Sequence, residues 1–301
     1  MLSFRPLGLS DAGLVRLVRA GERLCDFTPC VLLMWRDYFH TEIAHEDGLA
    51  YLRQTFSGIC TAFCFPKRVS DAGNPEEGIR RILAHCAETG ERPVFCNVAA
   101  GELEFLRARF AVIRENAARD WFDYLYDAPS FAGMAGRRYA GQRNHIHKFE
   151  AAFPDWRYEE IGAANFADCA AFLRAFYSRR ENEEETSAFS GMLYYEQEKL
   201  FEILANYGVY GLSGGILRGG GGRVLALSMG GVLGDTLFVH TEKADIGAPG
   251  AYQMIAREFA RRHTDVSFIN REEDMGIPGL RTSKLSYHPL HLIEKYTVEL
   301  G

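Results

Sequence analysis

"RVLALSMGGVLGDTLFVHTEKADIGAPGAYQMIAREFARRH", residues 223–263, carries the strongest fold signal in the chain. "RVLALSMGGVL" and "DTLFVHTE" are short runs of strand-forming residues that sit side by side as in an antiparallel meander. Past the turn "GAPG", residues 247–250, the apolar period changes to that of an amphipathic helix over "GAYQMIAREFARRH". The next run, "DVSFIN", is a strand again, expected to be central and parallel-flanked after a crossover helix. Its C-terminal end opens into "NREED", at the edge where open α/β sheets place ligands.

The C-terminal half adds a strand "WRYEEI", the helices "FADCAAFLRAFYSRR" and "MLYYEQEKLFEILANYG", and a strand "GVYGLSGGILR" before this block. After it come a short helix near "PGLRTSKL" and a strand "HPLHLIEKYTVEL". The N-terminal half repeats the order: strand "SFRPL", helices "DAGLVRLVRAG" and "PCVLLMWRDY", strands "FHTEIAHED", "LAYLRQTF" and "GICTAFCF", helix "PEEGIRRILAHCAETG", then "PVFCNV", "GELEFLRARF" and "WFDYLYD". Two similar α/β units of mixed sheets follow, each a helical pair, a meander and a crossover helix. That is the layout of the GNAT acyltransferase fold, here in tandem. The expected boundaries are 1–136 for the first domain, 137–154 for a joining helix and 155–301 for the second.

Composition narrows the classes. With 47% hydrophobic and 25% charged residues in 301, the chain is globular and excludes disorder. No window approaches the roughly 18 consecutive apolar residues of a membrane span. Arg5 and Asp11 stand where a signal peptide has its apolar run, so a soluble cytoplasmic protein is expected. The seven scattered cysteines are expected as buried reduced thiols. No metal is expected from the nine histidines, because His145 and His147, two apart on a helix, point away from each other. A net charge of −6 argues against a surface coated for nucleic acid but leaves room for a local basic patch.

Such a patch lies in "MAGRRYAGQRNHIHKFEAAFP", which reads as a helix from about Arg138 to Phe153. At 100° per residue Tyr139, Ile146, Phe149 and Phe153 share one face, with Arg137, Asn144 and Lys148 opposite and Arg143 and His147 beside them. Guanidinium and ammonium groups on that face suit the phosphates of a tRNA acceptor stem or a lipid head group. A solvated face paired with nearby acids is the plainer alternative.

Four ordered motifs, "GRRYAGQRNHIHKFE", "HTEKAD", "GAYQMIAREF" and "INREEDMGIPGLRTSKLSYHP", together resemble the DUF2156 family, grouped with the C-terminal domain of phosphatidylglycerol lysyltransferase. The resemblance covers nearly the whole chain. It implies a tandem GNAT fold like that of Fem-type aminoacyltransferases, which move an aminoacyl group from tRNA to a lipid or amine acceptor. The multi-helix membrane portion of the lysyltransferases has no counterpart in this sequence, which argues against phosphatidylglycerol as the acceptor.

The resemblance implies substrate-binding roles for Arg138, Arg143, Asn144 and Lys148 on the helix, and for His240, Lys243, Asn270 and Ser286 elsewhere. Candidates for catalysis are Glu242, Arg271, Glu272, Asp274, Lys284 and Tyr287. Acids at the end of "DVSFIN" can receive an α-ammonium or act as a base, and Arg271 and Lys284 can stabilise charge on an acyl carbonyl. Tyr287 is a candidate acid for the leaving group, or else a buried structural tyrosine. The turn "KADIGAPG" stands where acetyltransferases cradle the pyrophosphate of coenzyme A, but its glycines are spaced differently and Pro249 donates no N–H. "RGGGGRV" joins two strands and reads as a hairpin turn. The charged stretch "SRRENEEETSAF" reads as a connector, or as a cover that attracts a cation.

The expected function is acyl or aminoacyl transfer to an amine or hydroxyl of a lipid, peptide or small molecule. Aminoacyl-tRNA is the preferred donor, with no permanently bound cofactor. Acyl-coenzyme A-dependent N-acylation is the nearest alternative, and a non-catalytic ligand-binding module is a second.

Overall fold

The structure, a computed structural model, describes residues 1–18, 23–56, 60–181 and 190–301. The charged connector lies outside the described residues from position 182 to 189. The chain divides into two compact units that are discontinuous in sequence. The first comprises Met1–Asp123, Glu273–Ile277 and Leu292–Gly301; the second comprises Tyr124–Glu272 and Pro278–His291.

In the first unit the strands are β1 (Arg5–Pro6), β2 (Glu42–Glu46), β3 (Leu49–Phe56), β4 (Cys60–Cys64), β5 (Lys67–Arg68), β6 (Val94–Val98) and β7 (Val112–Ala117). The helices are α1 (Ala12–Val15), α2 (Pro29–Met34), α3 (Pro75–Thr89) and α4 (Ala100–Arg109). α3 is delimited by its own sequence. Asn74 accepts from the Glu76 N–H, Pro75 opens the first turn, and Gly90 closes the helix at φ 75°. The sheet runs β1-β2-β3-β4-β6, then the chain's last strand, Tyr296–Leu300, then β7, with β5 against β3. That inserted strand buries Val298 and Leu300 in the core with Tyr51, Phe63, Ile79 and Phe95.

The second unit begins with β8 (Asp123–Asp127), α5 (Ala128–Gly133), α6 (Ala140–Ala152) and β9 (Arg157–Glu160). It continues with α7 (Phe166–Glu181), α8 (Ser190–Ala205), α9 (Tyr207–Tyr210), β10 (Ser213–Gly219), β11 (Arg223–Leu233) and β12 (Thr236–Ala244). α10 (Ala251–Arg261), β13 (Phe268–Asn270), α11 (Pro278–Leu285) and β14 (His291–Ile293) follow, and β15 is Tyr296–Leu300. The sheet order is β14-β8-β13-β12-β11-β10-β9.

Set beside the expected boundaries, β8 and β15 are exchanged between the halves: β8 lies between β14 and β13 in the second unit's sheet, and β15 between β6 and β7 in the first's. Helix α6 is part of the second unit rather than a joint. β13 is central, but only one of its neighbours is parallel, since it pairs parallel with β12 and antiparallel with β8. "GVY" belongs to the one-turn α9, which ends at Gly211 with φ 66°, so β10 starts at Ser213. β7 is a strand that the sequence does not announce. "VIRENA" is exposed along almost its whole length and has none of the apolar alternation that marks a strand.

Candidate active site

β12 and β13 pair only over Thr236–Phe238 and Phe268–Asn270. Past Phe238, β12 runs on to Ala244 while the other strand ends, so the two part at the C-terminal end of β13. Two consecutive residues after β13 reach across this gap. Arg271 Nη2 donates to Glu242 Oε1 at 3.0 Å, and Glu272 Oε1 accepts from His240 Nδ1 at 2.8 Å. A carboxylate has no proton to give, so Nδ1 carries the hydrogen in this contact, which in the neutral imidazole places the lone pair on His240 Nε2.

The local backbone is built for this. Glu272 has φ 57°, a left-handed conformation that costs a non-glycine residue about 1 kcal/mol or more. Asn270, fully buried, accepts the Glu272 N–H at 2.7 Å through its side chain and so holds that turn. Lys284 is buried and donates to the Arg271 carbonyl at 2.5 Å, while Tyr126 donates to the Lys284 carbonyl at 2.8 Å. On β12, Thr241 pairs with Met229 and Val239 with Gly230, so His240 is the extra residue of a β-bulge. Bulges re-aim side chains.

Electrostatically the Glu242–Arg271 pair is dry. Burial pushes Glu242 above the ordinary carboxylate range, against the pull of Arg271 and Lys284. Burial alone would lower Arg271, but Glu242 with Tyr126 and Tyr287 outweighs it, and the guanidinium stays charged. Its Cζ lies 4.7 Å from the centroid of the Tyr287 ring, which stacks on Phe131 at 5.0 Å between centroids. Arg271 Nη1 is buried and has no hydrogen-bond partner among the described residues.

Several expected site residues are used differently. Asp274 belongs to the first unit, fully buried, where it pairs with Arg119 at 2.9 Å and accepts the Gly276 N–H; it forms a turn there rather than joining Glu242 and Glu272. Tyr287 is 1% exposed and its carbonyl accepts from Tyr139, so it serves as the platform under Arg271. Ser286 donates to the Ser283 carbonyl and accepts from Gln142 at 3.0 Å, which fastens the end of α11. Lys243 is held by both oxygens of Glu196, at 2.9 and 2.8 Å. Adjacent strand residues point to opposite faces, so it does not share Glu242's side.

On α6 the apolar stripe is confirmed, with Tyr139, Ile146 and Phe149 buried. Arg143 is drawn inward, donating to the Met134 and Gly136 carbonyls at 2.6 and 2.7 Å, which closes the loop after α5. Arg137, Arg138, Asn144 and Lys148 stay exposed.

The comparisons with known proteins come to bear on this geometry. Residues 21–299 match the family described as phosphatidylglycerol lysyltransferase, C-terminal. The chain belongs to that family. It is therefore an acyltransferase by family. Among solved structures, a conserved protein of unknown function from Bacteroides thetaiotaomicron is similar at TM-score 0.90 and 28% identity, over 100% of both chains. The DUF2156 C-terminal domain of a putative lysylphosphatidylglycerol synthetase from Agrobacterium fabrum is similar at TM-score 0.65 and 14% identity, covering 97% of this chain and 91% of that one. L-PGS from Bacillus licheniformis shares the fold at TM-score 0.61 and 13% identity, over 88% and 85%. No curated protein matches. Among the described residues no helix is long and apolar enough to cross a membrane.

The turn before α10 already holds a carboxylate. Asp245 occupies it, accepting the Gly247 N–H at 3.0 Å and pairing with Arg179 at 2.6 Å. Burial would raise Asp245, but Gly247 and Arg179 outweigh it and hold the carboxyl below its usual range. Gly250, at φ 75°, is needed because a Cβ there would lie 1.9 Å from the His145 carbonyl oxygen; the turn packs α10 on α6.

Sequence reasoning missed Ser228. Counting pairs back from the Gly234–Asp235 turn would set it opposite Thr241, but the bulge at His240 shifts the register by one and sets it opposite Glu242. No sequence signal marks that bulge.

Proposed function

We propose that the chain transfers an aminoacyl group from aminoacyl-tRNA to an amine or hydroxyl acceptor, at the gap where β12 and β13 part. The observation that carries this reading is the unpartnered Nη1 of Arg271, a charged donor fixed by Glu242 and Tyr287 in a dry place. An aminoacyl ester is already activated, so the protein has to position it, stabilise the oxyanion and move one proton.

In this reading Glu242 receives the substrate's α-ammonium and Arg271 Nη1 donates to the acyl oxygen as negative charge grows on it. His240 Nε2, held in its tautomer by Glu272, takes the proton from the attacking amine or hydroxyl and returns it to the ribose oxygen that leaves. No covalent enzyme intermediate is needed. Arg137, Arg138 and Lys148 are exposed, and none has an acid within ion-pair distance among the described residues, which suits the phosphates of a tRNA end. Lysylphosphatidylglycerol synthetase names the activity of one relative, which makes a lipid head-group hydroxyl one acceptor to test beside peptide and small-molecule amines.

Asp245 argues against coenzyme A as the donor, because a carboxylate already accepts from the turn where the pyrophosphate would sit. Binding decides between the donors. The purified chain is incubated with a pool of charged tRNA and, separately, with acetyl-coenzyme A, and the retained ligand is identified by mass spectrometry. Retention of tRNA alone is expected; retention of coenzyme A alone would replace this reading with N-acylation.

A further inference from the structure

Ser228 lies in the middle of β11, is fully buried, and its hydroxyl has no hydrogen-bond partner among the described residues. Its register partner is Glu242. Directly opposed residues share a face with Cβ atoms about 4.5–5.5 Å apart, so the hydroxyl stands beside the carboxylate. Ala226 and Ala244, the next pair on that face, are fully buried and offer no polar side chain. Arg271, 9% exposed, brings its own unpartnered Nη1 to the same carboxylate.

Buried polar atoms without partners are rare in folded proteins, and two of them flanking one carboxylate point to a ligand with complementary groups. The ligand needs an acceptor for the Arg271 N–H and a donor that Glu242 and Ser228 can share. A free α-ammonium next to a carbonyl has both.

We propose that Ser228 is the specificity residue of this site: its hydroxyl and the Glu242 carboxylate together select an unblocked α-amino group, while Arg271 Nη1 takes the adjacent carbonyl oxygen. This rests on the aminoacyl reading of the same site and narrows it. An N-acylated or N-formylated aminoacyl group has one N–H where three are wanted, carries no charge for Glu242, and brings its extra carbonyl against Ala226 and Ala244. The site therefore excludes blocked aminoacyl donors.

The test uses stable mimics of the ester, a panel of amino-acid amides and their N-acetyl counterparts, titrated calorimetrically into the full chain. At least one free amide is expected to bind, with its N-acetyl form at least about tenfold weaker, and Ser228→Ala should weaken the free amide about fivefold to tenfold. The melting temperature should not fall in Ser228→Ala, because an unpartnered hydroxyl takes no hydrogen bond with it. Equal binding by Ser228→Ala and wild type, with Glu242→Gln still losing the amide, would overturn the role of Ser228 and leave the aminoacyl reading standing. Equal binding of free and acetylated amides would overturn the selection itself. If no amide binds wild type, the aminoacyl reading fails and this inference with it.

Discussion

Arg271 spends one guanidinium nitrogen on Glu242, at 3.0 Å, and keeps the other without a partner among the described residues. Such a pair is fold and site at once, so single substitutions mislead. Arg271→Ala leaves Glu242 buried and uncompensated, which should cost about 3–5 kcal/mol of stability. Arg271→Met with Glu242→Leu removes both charges and should recover most of the melting temperature, since buried pairs are often replaced by apolar residues at little cost. Activity should be absent in both. Thermal unfolding beside a transfer assay checks this, and transfer by the refolded double variant would exclude the pair from the chemistry.

His240 should matter to rate more than to stability. His240→Ala is expected to lower kcat by about 10²–10⁴-fold, the usual worth of a positioned proton acceptor. Glu272→Gln should give a smaller loss, because a glutamine oxygen still accepts from Nδ1 but stabilises the charged imidazole less. Steady-state kinetics on the two variants separates base from orienting group; an identical loss in both would mean that they act only through the fold.

A buried cluster in the first unit sets a pH dependence of stability. Lys295 Nζ lies 2.7 Å from Asp26, 2.7 Å from Asp123 and 3.5 Å from Glu273, with Cys25 Sγ at 3.5 Å. Burial first, then the neighbouring acids, push Asp26 up to about 6 despite Lys295. A carboxyl raised on folding from 3.8 contributes stability that is full below the unfolded value and lost as pH rises through the folded one. Asp26→Asn should therefore melt higher than wild type at pH 8, with the difference narrowing as pH falls below about 6 and gone only at about pH 3.5. Chemical denaturation at the two pH values reads the effect, and a penalty for Asn at pH 8 would reverse its sign.

Replacing Arg137, Arg138 and Lys148 by Glu should weaken tRNA binding and flatten its salt dependence, by a slope of about 0.7–0.9 for each phosphate that the protein no longer neutralises. Arg143→Glu is a different case, because that side chain already serves the Met134 and Gly136 carbonyls. It should lower the melting temperature. Salt titrations of tRNA affinity that superimpose for wild type and the triple variant would make the helix face merely solvated.

What the sequence showed and hid follows from range. α3 was legible to the residue because Pro75 and Gly90 act on their own backbone. The stripe of α6 was legible because one period describes it. The exchange of β8 and β15 was hidden, since a strand's alternation says which face is buried and not which sheet receives it. Arg271, Glu242, His240 and Glu272 all stand out in the motifs, and the structure pairs them as the motifs could not. Ser228 and the departure of Asp274 depend on a one-residue bulge and on a chain crossing, neither of which has a local signature.

The most direct measurement is transfer itself. Wild type and the Arg271→Met, Glu242→Leu variant are each mixed with total aminoacyl-tRNA carrying labelled amino acids, together with lipid, peptide and small-molecule amine acceptors. Label leaving tRNA for a new product is then followed against spontaneous hydrolysis. A labelled product is expected with wild type and none with the folded double variant. Label that stays on tRNA with wild type, under conditions where acetyl-coenzyme A is consumed, would contradict that expectation.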